Sequence, residues 1–172
     1  MSCGDSNDDI NPDNLLLGDW ELQFFEGDVE SAIEFNGESV NSTLIVKGKN
    51  LNYDLTFTES TYVTAGSYDL EGSVNASGTS TSIDQTVSDV AGNGTYTVAG
   101  DLLTSNGAFF SFEVSGMSFL EGQEEVSVFI ETLTEEELVL VQQGVESQSQ
   151  TINGVTTSST SDIDFRSVWR RR

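Results

Sequence analysis

The sequence has no histidine, a single cysteine and a single proline, and the first two scarcities each exclude a class of site. Without histidine the chain lacks the commonest general base and metal ligand, which excludes a Ser-His-Asp triad. One cysteine, Cys3, leaves no intramolecular disulfide and no cysteine-rich zinc site. No apolar run approaches the length of a membrane-spanning helix. We therefore expect no enzyme, no metal and no cofactor.

Basic residues are also scarce. Six lysines and arginines oppose 29 acidic residues, which gives a net charge of −23. No basic face is available to neutralise phosphates, so a nucleic-acid partner is excluded. Direct adsorption to anionic lipid is disfavoured for the same reason.

The acidic residues do not form a recognisable calcium loop. Asp8-Asp9 and the Asp162/Asp164 pair lack the six or more oxygens at fixed spacing that calcium needs. Glu135, Glu136 and Glu137 are better interpreted as a helical first turn than as a catalytic pair. Solvated carboxylates are the interpretation that we favour for all of these residues.

What the chain does have is alternation of apolar and polar residues, the pattern of half-buried strands. Trp20, Leu22 and Phe24 alternate with polar residues just after Gly18. The cleanest run places Leu51, Tyr53, Leu55 and Phe57 on one face. In the second half the inward sets are Phe110, Phe112 and Val114; Val126, Val128 and Ile130; and Ile163, Phe165 and Trp169. Helical periodicity is missing, so we expect a nearly all-β fold.

Glycine makes the turns. Asn36-Gly37 and Asn153-Gly154 are flanked by strand patterns and predict tight hairpin turns. A further turn is expected at 47–50, and a bulge or bend at Ala65-Gly66. Residues 73–92 are rich in Ser and Thr and predict a weak edge strand or a long loop. Thr134 is expected to cap a tight connection, with Glu137 at the reciprocal position.

Several of these segments together resemble the lipocalin and bacterial lipocalin-like lipoprotein families. The resemblance begins with Leu17-Gly18-Asp19-Trp20, a Gly-x-Trp that opens the first strand. It continues in order through 94–98, 101–104, 130–140 and finally Phe165-Arg166. It implies one domain over residues 15–172, an antiparallel up-and-down β-barrel of about eight to ten strands. It further implies that Arg166 or Arg170 packs over Trp20, whereas Arg171 and Arg172 are expected to form a solvated tail.

The first 14 residues are polar and acidic, and we expect a flexible tether. Ser2-Cys3-Gly4 resembles the end of a bacterial lipobox, in which the cysteine is lipidated. The nearby Asp5, Asp8 and Asp9 resemble the export signal of surface lipoproteins. The resemblance implies a protein anchored to the outer membrane through a lipid on Cys3, possible surface exposure, and no other membrane contact. The simpler alternative is a stray cysteine in a ragged tail.

Two functions remain open. In the first, the protein is a monomeric carrier whose barrel binds one small, neutral, apolar molecule. In the second, it is a surface structural or interaction protein whose barrel is filled by its own side chains. The residues expected inside are the same in both cases: Tyr53, Leu55, Phe57, Tyr68, Tyr96, Phe110, Phe112, Ile130 and Phe165. A cavity lined by aromatic rings and a core packed with them have the same sequence.

Overall fold

The structure is a computed structural model that describes residues 15–35, 38–110, 112–114, 117–119, 125–152 and 155–172. Residues 1–14 lie outside this described part, so the tether stays a prediction. The strands of the described part, in chain order, are β1 (Gly18–Phe35), β2 (Glu38–Phe57), β3 (Thr61–Ala76), β4 (Thr79–Ala99), β5 (Leu102–Ser105), β6 (Phe112–Val114), β7 (Met117–Phe119), β8 (Val126–Leu133), β9 (Glu137–Ile152) and β10 (Val155–Arg171).

Eight of these strands close into a ring. The order around it is β1-β10-β9-β8-β5-β4-β3-β2, and every neighbouring pair is antiparallel. The first and last strands pair from Trp20 opposite Arg171 to Phe35 opposite Thr157, which closes the barrel. Strands β6 and β7 form a separate two-stranded sheet within the connection from β5 to β8. The predicted all-β, up-and-down antiparallel barrel is confirmed.

A bulge in β1 corrects the predicted inward face of that strand. The pairing with β10 shifts between Leu22 and Phe24, so Gln23 is an extra residue. One extra residue reverses which side chains point inward beyond it. Phe25 is therefore buried in the core, while Phe24, which the alternation predicted to be inward, is 37% exposed.

Three turn predictions have different outcomes. The expected bulge or bend at Ala65-Gly66 is present as a bend: Gly66 has a φ of 131°, and both neighbouring pairings shift register beside it, but the extra residues lie in β2 and β4. The turn expected at 47–50 is wrong, because β2 runs straight through it with a register shift between Lys49 and Asn52. The two Asn-Gly pairs at 36–37 and 153–154 lie outside the described residues. The strand ends that flank them do pair, Phe35 with Glu38 and Ile152 with Val155.

Residues 73–92, predicted as a weak edge strand or a long loop, form the end of β3 and most of β4. They pair around a turn at Ser77-Gly78 with one register shift next to Gly66, so the long loop is wrong. Among the described residues, 79–92 of β4 pair only with β3, as an edge strand does. Backbone hydrogen bonds to neighbouring strands make a strand even where few apolar side chains mark it. The sequence pattern was faint because both faces of this hairpin are largely polar.

The strands are unequal in length, and this gives the ring two different ends. We call the end where Gly18 and Arg171 lie the Trp20 end. There, short β5 pairs with Tyr96–Ala99 of β4 and with Phe129–Val126 of β8, which completes the wall. Further along, the described pairings involve only β4, β3, β2, β1, β10 and β9. The hydrophobic core fills the complete part of the ring.

The connection from β8 to β9 is as tight as predicted. The Thr134 hydroxyl accepts hydrogen bonds from the backbone N–H of Glu137 at 2.9 Å and of Glu136 at 3.3 Å. The Thr134 N–H donates to the Glu137 carbonyl at 2.8 Å. Residues 135 and 136 form a bend rather than a helical turn.

Candidate functional site: the barrel interior

The barrel interior contains nearly all the side chains that the sequence predicts to line a ligand site. Seven of them are buried: Tyr53, Leu55, Phe57, Tyr68, Tyr96, Phe110 and Phe165. Ile130 is half-buried and packs against the same core. The side chain of Phe112 lies outside the described residues. The structure therefore brings eight of the nine predicted residues together in one core.

Phe110 lies at the centre of the aromatic cluster. Its ring stacks on Phe25 with centroids 4.4 Å apart, and it lies 5.7 Å from Tyr53 and 5.5 Å from Trp169. Tyr68 approaches it edge-on at 6.2 Å. Stacked and edge-to-face pairs at these separations are the favoured arrangements of aromatic rings. The Phe110 ring thus fills the centre of the cluster.

The neighbouring Phe109 also enters the core. Its ring packs edge-on against Tyr62 at 4.8 Å and Phe57 at 5.9 Å. The buried Tyr53 hydroxyl donates a 2.7 Å hydrogen bond to the Phe109 carbonyl. Strand alternation predicted Phe109 and Phe110 on opposite faces, but residues 106–110 follow β5 as irregular chain, so both rings turn inward.

The described residues leave little space next to Phe110. The void next to Phe110 measures about 20 Å³ and is lined by residues that include Phe25, Val128, Leu140 and Phe165. That volume holds about one water molecule. Pockets for small organic molecules measure about 300–1,000 Å³.

The polar groups of the interior are tyrosine, threonine and serine hydroxyls. Burial raises the pKa of the Tyr53 hydroxyl to about 12, and burial also raises the pKa values of Tyr62 and Tyr68. Ser167 accepts a hydrogen bond from the Trp169 indole at 2.9 Å, and Ser105 donates to the Gly107 carbonyl at 2.7 Å. These hydroxyls are neutral at neutral pH, so they offer hydrogen bonds but no charge to a ligand.

Trp20 is fully buried at the end of the ring, as predicted, and its indole N–H donates to the Leu16 carbonyl at 2.9 Å. The cation over its ring is not Arg166 or Arg170, however. The guanidinium of Arg171 lies 4.3 Å from the ring centroid and donates hydrogen bonds to the carbonyls of Leu15, Leu17 and Glu135. Gly18 begins β1 beside this guanidinium with a φ of 121°, a conformation that suits glycine.

The predicted solvated tail is accordingly wrong for Arg171, whereas Arg172 is solvated as predicted, with a side chain that is 48% exposed. Arg171 belongs to the closure just described. Arg172 forms ion pairs with Asp54 at 3.0 Å and with Glu21 at 3.4 Å. Asp54 Oδ1, although shielded from water, therefore has a cationic partner.

Arg166 lies on the outer face of the barrel. It pairs with Glu131 at 2.7 Å and borders an outer groove of about 400 Å³. Acidic side chains of three strands line this groove, namely Glu26, Asp28, Glu131 and Asp164, together with Lys47 and Arg166. Asp28 lies opposite Asp164 across the β1–β10 pair, and Glu30 lies opposite Asp162. These opposed carboxylates make the outer face strongly negative.

Several interior residues were absent from the predicted lining set. Phe25, Phe109 and Trp169 contact that set, and Tyr62 packs against Phe109. All four are buried. The alternation of side chains in β10 already predicted that Trp169 points inward, and the alternation in β3 predicts the same for Tyr62. Phe25 can be placed inside only when the bulge in β1 is known, and Phe109 only when the path of the irregular segment after β5 is known.

Other possible sites receive no support from the described residues. Within them, no group of three or more Asp, Glu, His or Cys side chains is arranged to hold a metal ion. Likewise, no helix in those residues has both the length and the hydropathy to cross a membrane. Cys3, the predicted lipidation site, lies outside them.

Comparisons with known proteins found no match: not to a family model, not to a curated protein and not to a solved structure. The resemblance to lipocalin-like lipoproteins therefore stays a prediction. An all-β chain with an eight-stranded antiparallel closed ring is consistent with that fold.

Proposed function

We propose that this protein is a surface structural or interaction protein whose barrel is filled by its own side chains. The observation that carries the proposal is the position of Phe110, stacked at the centre of the cluster formed by Phe25, Tyr53, Tyr68 and Trp169. A ligand in that position would have to displace the ring. The void of about 20 Å³ beside Phe110 is too small for one to bind next to it.

The polar surface also supports an interaction role. The net charge is −23, and carboxylates oppose each other along β1 and β10. The outer wall is therefore well solvated, and a partner would contact it from outside the barrel. We further propose that a lipid on Cys3 attaches the domain to the outer membrane of a bacterial envelope. Replacing Cys3 with alanine in the chain with its export signal would then release the protein from the membrane fraction.

The test compares apolar probes in the wild-type protein and in a variant with a cavity. The wild-type protein should give no saturable fluorescence with the neutral dye N-phenyl-1-naphthylamine. Phe110→Ala removes the central ring and should leave an apolar cavity that binds benzene, since cavities of this kind stay dry and take up small apolar molecules. Benzene should therefore raise the melting temperature of the Phe110→Ala variant.

The matched control is Phe129→Ala, which removes the same ring from the outer wall, where Phe129 is 44% exposed. Benzene should leave its melting temperature unchanged. If Phe110→Ala does not fold, Phe110→Leu makes a smaller cavity for the same measurement. Saturable binding of the dye by the wild-type protein would overturn the filled barrel and restore the carrier function.

A further inference from the structure

Strand β9 has one side without a strand partner along most of its length. It pairs with β10 from Glu137 to Ile152, but with β8 only from Leu138 to Val141. In the part of the chain that the structure describes, no strand pairs with the other side of β9 from Gln142 to Ile152. We call this segment the β9 edge. An unpaired edge of 11 residues presents backbone N–H and C=O groups that can extend the sheet.

The sequence of the β9 edge also lacks the residues by which proteins commonly protect such edges. The segment contains no proline and no lysine, and Glu146 is its only charged residue. Its Val145 side chain is 66% exposed. The corresponding edge of β4, from Thr79 to Thr95, is different. It carries Asp84 and Asp89 and is interrupted at Asp89, whose φ is 56°. Of the two edges, the β9 edge is the one suited to pairing.

We propose that the β9 edge pairs with the β9 edge of a second copy of this chain, in antiparallel orientation about a two-fold axis. The edge is nearly neutral within a protein of charge −23, so it is the strand edge at which two copies repel each other least. With the axis at Ser147, Glu146 lies opposite Gln148 of the second copy, and no two carboxylates face each other. In this register Ser147 lies opposite its own copy and Thr151 lies opposite Gln143, which are pairs of uncharged polar residues.

Because the whole molecule is strongly negative, salt should affect the binding of a second copy and of a cationic peptide in opposite directions. Two copies repel each other through their net charge, so salt should strengthen the dimer by screening that repulsion. A cationic peptide on the same edge would be attracted by the negative charge, and salt would weaken its binding. The inference names a partner for the proposed interaction role and rests on it. Failure to dimerise would remove the partner, whereas dye binding would remove the filled barrel.

The experiment is analytical ultracentrifugation of the full chain from about 1 to about 300 µM protein. It is run at about 0.05 and about 0.5 M NaCl. We expect a monomer–dimer equilibrium in which the dissociation constant falls as salt rises. Amide hydrogen exchange is measured over the same concentrations. The amides of residues 142–152 should exchange more slowly at high protein concentration, while those of β3 stay unchanged.

The variant is Val145→Asp, which adds a carboxylate to each copy at the edge. It should raise the dissociation constant at least about tenfold. The matched control is Val63→Asp, the same change on β3, where Val63 is 48% exposed but has Thr56 and Asn93 as partners on both sides. The control should dimerise like the wild-type protein.

Three outcomes would overturn the proposal. One is a monomer at every concentration with unchanged exchange at 142–152. Another is a dimer that Val63→Asp weakens as much as Val145→Asp does. The third is a dimer that dissociates as salt is added. Because the exchange measurement uses the wild-type chain, it decides the question even if a variant does not fold.

Discussion

At the scale of single residues, the alternation of side chains along a strand decides which of them face the interior of the barrel. In β10, Phe165, Ser167, Trp169 and Arg171 share the inner face. Arg166 and Arg170 have the opposite parity and point outward. Arg171, two positions beyond the inward Trp169, therefore reaches Trp20, whereas the neighbouring Arg170 does not. The alternation of β10 already distinguishes the two arginines, and the register of β10 against β1 places Arg171 directly opposite Trp20.

This choice predicts that Arg171→Lys destabilises the protein by about 1–3 kcal/mol. Lysine loses the planar fork that donates to several carbonyls and lies over the indole. Arg170→Lys makes the same change at an exposed neighbour and should cost less than about 0.5 kcal/mol. Urea unfolding of both variants measures the difference. Equal losses would show that Arg171 does not close the Trp20 end.

Gly27 provides a second test at this scale. It lies directly opposite Phe165, whose ring occupies the space that a side chain at Gly27 would need. Gly27→Ala should therefore displace the Phe165 ring and cost about 1–3 kcal/mol. At Gly144 of β9 a Cβ meets no atom within 4 Å, so Gly144→Ala should be neutral or slightly stabilising. Thermal unfolding compares the two, and an unaffected Gly27→Ala variant would contradict the packing of Phe165.

At the scale of elements, the turns set which strands become neighbours. The hairpin of β8 and β9 depends on a three-residue connection whose two free backbone N–H groups bond to one hydroxyl, that of Thr134. The local sequence was sufficient to predict this connection. The long β3–β4 hairpin was not predictable in the same way, because its many Ser and Thr residues are typical of loops as well as of solvated strands.

We therefore predict that Thr134→Ala costs about 1 kcal/mol, the usual loss when a capping hydroxyl is removed. Thr134→Ser keeps the hydroxyl and should restore most of the stability. Unfolding in urea measures both variants. A serine variant as unstable as the alanine variant would mean that the methyl group, and not the hydroxyl, matters at this turn.

At the scale of the whole molecule, burial of tyrosines links stability to alkaline pH. The pKa of Tyr53 is raised to about 12, whereas an unfolded tyrosine titrates near 10. Below pH 10 the hydroxyl is neutral in both states and its contribution to stability is complete. Above about pH 10 the unfolded state ionises first, so stability falls as pH rises towards 12. Without histidine, the chain should show little change in stability between pH 6 and 8.

Circular dichroism and tyrosinate absorbance, recorded together during an alkaline titration, test this prediction. The buried tyrosines should ionise in the same transition in which the strand signal is lost. Ionisation of all four tyrosines near pH 10 with the strand signal intact would show that Tyr53 and Tyr68 are open to water.

The sequence by itself determined the all-β class, the burial of Trp20 and most of the interior side chains, and its resemblance to lipocalin-like families implied the antiparallel barrel. Alternation along a strand is a local property, and each apolar residue reports its own face. Local patterns also gave the bend at Ala65-Gly66 and the turn at Thr134.

Only the tertiary structure decided the rest. An extra residue at Gln23 exchanged Phe24 for Phe25 in the core, and the β1–β10 register placed Arg171 opposite Trp20. An irregular segment after β5 brought Phe109 and Phe110 into the centre of the barrel. Each of these depends on where one part of the chain meets another that is distant in sequence, and a local pattern carries no information about that meeting. The space left inside the barrel is of the same kind, because it is what remains after every ring has been placed.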